Sequence, residues 1–179
     1  ITAAEAAALI KNGDTVTTSG FVASAIPEAL DRAVEERFLA TGEPRDITYV
    51  YCGSQGNKDG RGAEHFAHEG LLKRYIAGHW ATVPALQKMA LENKMEAYNV
   101  SQGALCHLFR DIAAHRPGCF TKVGLGTFID PRNGGGKVND VTKEDIIELV
   151  NIKGQDYLFY PAFPINVALI RGTYADESG

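Results

Sequence analysis

At 179 residues the chain is long enough for one domain with a full hydrophobic core and short for two. Its net charge of -4 arises from 18 Lys and Arg scattered among 22 Asp and Glu, so no basic stripe points to nucleic acid. No apolar run approaches a membrane span, no secretory signal opens the chain, and the three cysteines (Cys52, Cys106, Cys119) lack CxxC or Cys/His ligand spacing. Reduced thiols in a cytoplasmic protein, with no metal, membrane or nucleic-acid partner, are the expectation.

In chain order, Thr2 to Ile10 predicts a helix with Thr2 as cap and Glu5 three residues on, a capping-box pattern. Asn12-Gly13-Asp14 is a turn, Thr15 to Ser19 a β-branched strand, and Gly20 to Ala25 a small-residue loop. Pro27 stands at the first position of the next helix, where Ile26, Leu30, Val34 and Phe38 recur every four residues. Gly42 to Pro44 stops it. Ile47 to Cys52 is an apolar strand of the kind covered on both faces, followed by a glycine-dense loop, 53–62.

A helix is expected around Gly70 to Ile76, and Val83-Pro84 opens another through Leu86, Met89 and Ala90. Met95 to Val100 predicts a strand that ends in the polar turn Ser101-Gln102-Gly103. Leu105, Leu108, Phe109 and Ile112 then recur at helical spacing. A strand near Phe120 to Val123 leads into a loop from Gly124 to Lys137. Ile147 to Ile152, Tyr157 to Tyr160 and Val167 to Arg171 read as the closing strands. A core strand so near the last residue, and a start at Ile1, make the chain read as a piece of a longer one; processing is the alternative.

Strand and helix alternate, which predicts an α/β fold: a mostly parallel sheet with helices on both faces. Such sheets bind ligands beyond the carboxyl ends of their strands. Loops 20–25, 53–62, 101–103 and 124–137 each follow a predicted strand and are expected to converge there. Gln102 is the leading candidate. A neutral amide on a strand-to-helix turn can donate to a developing oxyanion without bringing a charge.

Other candidates carry less. Ser19 to Glu28 can cradle an anion at a helix start, but it matches neither dinucleotide nor P-loop spacing. Lys58 and Arg61 add charge to loop 53–62, and Gly134-Gly135-Gly136 makes 130–137 read as a moving lid or a partner contact. His65, His68 and His79 lack companions for a metal set, and His107 and His115 read as surface and helix-end residues. Glu64 and Glu69 would lie on opposite sides of a helix, and no G-x-S-x-G elbow is present.

Taken together, Ser19-Gly20-Phe21, Ile26-Pro27-Glu28-Ala29-Leu30, Gly53-Ser54-Gln55-Gly56, Asp59-Gly60-Arg61, Gly78-His79-Trp80 and Ser101-Gln102-Gly103 form a specific set. With Gly124 to Arg132, Gly135-Gly136-Lys137 and Arg171-Gly172-Thr173, they resemble the class I coenzyme A transferases, of the propionate (lactate) CoA-transferase type, in order over essentially the whole chain. The resemblance implies the NagB/RpiA-like amino-terminal domain, residues 1–179, of a two-half enzyme with its site between the halves. It implies ping-pong transfer of CoA between an acyl-CoA and a short-chain carboxylic acid, through a glutamyl-CoA thioester. CoA is then a substrate, no tightly bound cofactor is needed, and the enzyme is a homo-oligomer.

By the same resemblance Gln102 helps form the oxyanion hole. Gly20, Phe21, Val22, Ala23, Ser24, Gly53, Ser54, Gln55 and Gly103 line the substrate site. The chain departs from the family pattern at Val22 and Ser24-Ala25, where many relatives carry glycines, which bears on acyl preference. It also lacks the Glu-x-Gly motif of the nucleophile, which belongs to the carboxyl-terminal half. The chain alone is therefore expected to be inactive. The alternative is a non-catalytic ligand-binding module of the same fold, as in sugar-phosphate sensing domains.

Overall fold

The computed structural model describes residues 1–178, and two sheets organise them. The first helix, α1 (Ala3–Ala7), starts on the complete capping box of Thr2 and Glu5. It is shorter than its sequence pattern because Arg37, reaching from a later helix, donates to the carbonyls of Ala7 (2.8 Å) and Ile10 (2.7 Å) and ends the turn there. Strand β1 (Thr15–Thr18) follows, then α2 (Glu28–Thr41), which begins one residue after Pro27 and ends at Gly42 with φ 73°.

The parallel layer continues with β2 (Ile47–Tyr51), β3 (Leu72–Ala77), α3 (Pro84–Leu91), β4 (Glu96–Asn99) and α4 (Gln102–Ala113). After α4 come β5 (Gly118–Thr121), β6 (Glu148–Ile152), β7 (Gln155–Pro161) and β8 (Val167–Leu169). The first sheet is wholly parallel, in the order β4-β3-β2-β1-β8; the second is a three-stranded antiparallel sheet, β5-β7-β6. The parallel sheet was legible in the alternation of elements. The small antiparallel sheet was not: β6 and β7 form a local hairpin, but β5 joins β7 from about forty residues away.

One expected element changes type. Gly70 to Ile76 contains a strand rather than a helix: Leu72 to Ala77 pairs on one side with β2 and on the other with β4. Covered on both faces, it buries Leu72, Tyr75, Ile76 and Ala77. The resulting near-continuous apolar run has no clean period of two, so it imitates a helix.

Side chains alternate between two cores. Tyr49, Tyr75 and Ala97 pack with α1, α2 and α3 on one face. Val50, Ile76 and Tyr98 pack with α4 and the antiparallel sheet on the other. The helices thus lie on both faces. Beyond β1 the strand order reverses, with β2 on one side and β8 on the other, so the switch point of the sheet is the loop after β1.

Candidate functional site

Three of the four polar loops meet above the carboxyl ends of the parallel strands. Phe21 and Ser24 exchange backbone hydrogen bonds of 2.9 Å, closing a tight turn in 20–25. Val22 N–H donates to the Ser54 carbonyl at 3.0 Å, and Gly56 N–H donates to the Val22 carbonyl at 2.9 Å, stitching this loop to 53–62. Gly20 has φ 110°, and a Cβ there would sit 2.8 Å from the Ser24 carbonyl oxygen and 2.9 Å from that of Ala25. No other residue fits.

Val22 (φ 54°) and Ala25 (φ 55°) occupy the left-handed region, at a cost of about 1–2 kcal/mol for a residue with a Cβ. These are among the positions where the family resemblance expects glycine. The backbone keeps glycine's shape while the residues add side chains to it. Phe21 and Val22 stand exposed at the rim, with Ala23 and Ser24 at the exposed tip of the turn.

Gln102 opens α4 and is exposed. The Ser101 hydroxyl caps this helix by accepting from Ala104 N–H at 3.4 Å. A Cβ built on Gly53 would lie 3.4 Å from Gln102 Oε1 and 3.5 Å from the Phe21 ring. The amide therefore lies across the bare backbone of Gly53, opposite Phe21. Behind it stands Gly78, where a Cβ would fall 2.3 Å from the Cys52 carbonyl oxygen and 2.7 Å from Gln102 Cα. Gly78 sets how deeply Gln102 sits, yet it was not among the expected site residues. Assigning the preceding segment to a helix hid its place at a strand end. Gly103 is exposed, and a Cβ there would meet nothing within 4 Å.

Ser54 and Gln55 contribute differently from the others. Both side chains are buried: Ser54 Oγ hydrogen-bonds Thr82 Oγ1, and Gln55 Nε2 donates to the Ser19 carbonyl. Gln55 Oε1 accepts from the Tyr49 hydroxyl at 3.0 Å, which in turn pairs with Thr18 Oγ1 at 2.6 Å. These groups fasten the loop from beneath, and both residues are buried below the rim rather than lining it. A hollow of about 350 Å³ lies beside it, between the start of α2 (Ile26 to Leu30) and Ile170-Arg171-Gly172 beyond β8.

The fourth loop reaches the site by another route. It follows β5 of the antiparallel sheet, and joins the parallel sheet by pairing along β4: Asn99 N–H donates to the Gly136 carbonyl at 2.8 Å, and Val138 N–H to that of Ala97 at 2.9 Å. It is also pinned rather than loose. Asp130, fully buried, accepts from Gly126 N–H (2.9 Å), Arg132 N–H (3.0 Å) and the Arg132 guanidinium, which holds its carboxyl well below the usual carboxylate range. The lid expected from its three glycines is thus a fastened edge segment.

Loop 53–62 is anchored to α2 by an ionic cluster. His65 is held by Glu35 (2.5 Å at Nδ1) and Glu28 (3.0 Å at Nε2), His68 bonds Glu35 at 2.6 Å, and Glu28 also accepts from Gly62 N–H at 3.0 Å. Burial lowers the His65 pKa, but hydrogen bonds to Glu28 and Glu35 outweigh it, and the net shift is upward. Glu64 is buried and accepts from Ala85 N–H at 2.7 Å, capping α3 in place of the missing N-cap side chain.

Asp31, next to this cluster, is fully buried with neither oxygen hydrogen-bonded among the described residues, and burial pushes its carboxyl up to about 7. A raised carboxyl pKa costs nothing below the ordinary value of 3.8, and the full amount above about 7. His65 runs the same way, its contribution being full below its ordinary 6.5 and lost as pH rises through the higher folded value. Asp31→Asn is therefore expected to stabilise the protein by ~1–3 kcal/mol at alkaline pH and not at pH 4. Thermal midpoints of the two proteins across pH 4–8.5 check this, and a pH-independent difference would contradict it.

A model of the Coenzyme A transferase family matches residues 1–179. The chain is 42% identical over 179 residues to a caffeate CoA-transferase of Acetobacterium woodii, covering all of this chain and 34% of that protein. It is 41% identical over 147 residues to the acetate CoA-transferase YdiF of Escherichia coli (strain K12), covering 82% of this chain and 28% of that one. A solved structure of the acyl-CoA transferase YdiF from E. coli O157:H7, in a thioester complex with CoA, superposes with a TM-score of 0.87 at 37% identity. That match covers 94% of this chain and 33% of the other. The chain spans about a third of the length of these relatives. With the family model matched along its whole length, the chain belongs to the coenzyme A transferase family.

Proposed function

We propose that residues 1–179 form the amino-terminal half of a short-chain acyl-CoA:carboxylate CoA-transferase, of the propionate, lactate or acetate type, and that Gln102 supplies an oxyanion donor. The observation that carries this reading is the exposed Gln102 amide, laid across Gly53 and backed by Gly78. The chemistry has a place for it. A glutamate carboxylate from the other half attacks the thioester carbonyl, the C–S bond breaks, and an acyl-glutamyl anhydride forms. The released CoA thiolate attacks the glutamyl carbonyl, expelling the first acid and leaving a glutamyl-CoA thioester. An incoming carboxylate takes the CoA by the reverse steps.

Every addition passes through a tetrahedral oxyanion, where a fixed amide N–H gains strength as charge develops. A lysine there would also pair with the attacking carboxylate and dull it. Phe21 and Val22 face the same rim and offer an apolar surface to a short acyl chain. Gly103 leaves the space beside Gln102 open, as a substrate approaching the helix start requires. The carboxyl-terminal half completes the cleft, and the whole enzyme assembles as a homo-oligomer.

The full-length enzyme is expected to move CoA from propionyl-CoA to acetate, and the 179-residue chain alone to move none. Steady-state assay of both proteins checks this. Turnover by the isolated chain would overturn the division of labour, and no turnover by the full-length enzyme with any short acid would overturn the substrate class.

A further inference from the structure

Two thiols that the transfer chemistry does not use stand directly behind Gln102. Cys52 directly follows β2 and continues the strand parity of Val50, so it faces α4 and packs against the core beneath that helix. Cys106 lies four residues after Gln102, on the same side of α4, and is exposed. The backbone joins the same two places: the Cys52 carbonyl oxygen and Gln102 Cα both lie within 2.7 Å of one point beside Gly78. The thiols feel each other. Burial first, and then the neighbouring Cys106 thiol, push Cys52 up to about 12, and both thiols raise the pKa of the Tyr51 hydroxyl after its own burial does.

We infer that Cys52 and Cys106 form an oxidisable dithiol whose disulfide clamps the start of α4 to the end of β2 and displaces Gln102. The oxidant class is a small hydroperoxide, with hydrogen peroxide as the simplest member. Half-buried Cys52 is a poor thiolate source, so exposed Cys106 attacks first. Its sulfur takes one peroxide oxygen, the O–O bond breaks, and water leaves once the hydroxide is protonated. The Cys106 sulfenic acid remains. The Cys52 sulfur then attacks Cys106 Sγ and gives up its proton. The S–S bond forms as the S–O bond breaks, and a second water leaves. Two thiols lose two electrons, and one peroxide becomes two waters.

The bridge joins a strand end to the first turns of a helix, and the residues it ties are those that seat Gln102. A displacement near 1 Å at an oxyanion donor can cost up to about 100-fold, so a loss of at least about tenfold in kcat is expected on oxidation. The effect on turnover rests on the role proposed for Gln102; the cross-link itself does not.

The test treats full-length enzyme with hydrogen peroxide, alkylates the remaining thiols and maps the peptides by mass spectrometry. The expected result is a peptide pair joined through Cys52 and Cys106, lost on reduction with dithiothreitol as activity returns. Cys106→Ser is expected to keep its activity in peroxide. Cys52→Ser is expected to leave a sulfenic acid at Cys106 that dimedone traps. Dimedone labelling of Cys106 in the unmutated enzyme with no cross-link would overturn the dithiol. A complete cross-link with unchanged kcat would overturn its action on Gln102. If Gln102→Ala proves harmless while the cross-linked pair forms, the oxyanion reading fails and the dithiol stands.

Discussion

Replacing Gln102 by alanine in the full-length enzyme is expected to lower kcat about 100-fold, the loss typical of one oxyanion donor. KM for the acyl-CoA should move far less, because the amide meets full charge only in the tetrahedral states. The geometry supports a clean loss. Gln102 is exposed at the first turn of α4, so truncating it removes little packing, and the Ser101 cap and the buried Leu105 and Leu108 hold the helix. Glu in its place should be as harmful as Ala or worse, since a carboxylate repels the oxyanion it replaces a donor for. Rates for Gln102→Ala within a few-fold of the unmutated enzyme would remove the role assigned to this residue.

Gly78→Ala is expected to do comparable damage without touching a substrate. The new methyl group would collide with backbone on two sides, at 2.3 Å from the Cys52 carbonyl oxygen and 2.7 Å from Gln102 Cα, and neither neighbour is a flexible side chain. Something must move, and the start of α4 is the freer partner because it lies at the rim. Overpacking of this kind costs ~1–3 kcal/mol in stability, and a shift of the donor by about 1 Å adds up to about 100-fold in kcat. Gly103→Ala is the matched control for folding. Its methyl meets open space on a helical residue, so stability should hold or rise by up to ~1 kcal/mol. Thermal melts and steady-state rates on both variants check this; a Gly78→Ala enzyme with normal kcat would show that the approach of β3 to α4 does not position Gln102.

What the chain announced in advance follows from periodicity and from glycine. Ile26, Leu30, Val34 and Phe38 mark α2, Leu105 and Leu108 mark α4, and the alternation of such helices with apolar strands implies a parallel sheet. Gly20 marks the rim because backbone approaches it too closely for a side chain, Gly53 because the side chains of Gln102 and Phe21 lie against it, and polar turns at strand ends gave away where loops would gather. The failures have causes of the same kind. Strand β3 is buried on both faces and loses the period-two signal, so it passed for a helix. That error concealed Gly78.

Ser54 and Gln55 look like ligands in a glycine loop, and only the fold reveals that Thr82, Tyr49 and Ser19 claim their polar atoms. Gly134-Gly135-Gly136 suggests freedom, while Asp130 and the edge of β4 remove it through contacts that a linear pattern does not encode. The pairing of β5 with β7 is equally remote, closing between residues about forty apart in sequence, and hydrophobic alternation in three or four residues is too brief to predict it.

The most direct test of the central claim, that this chain builds one wall of the cleft while the attacking carboxylate comes from elsewhere, is to find where CoA becomes attached. Full-length enzyme is incubated with propionyl-CoA in the absence of an acceptor acid, and the acid-quenched protein is digested and mapped by mass spectrometry. The expected product is a thioester to CoA on a glutamate outside residues 1–179. An adduct on Glu28, Glu64 or any other carboxylate of this chain would contradict it.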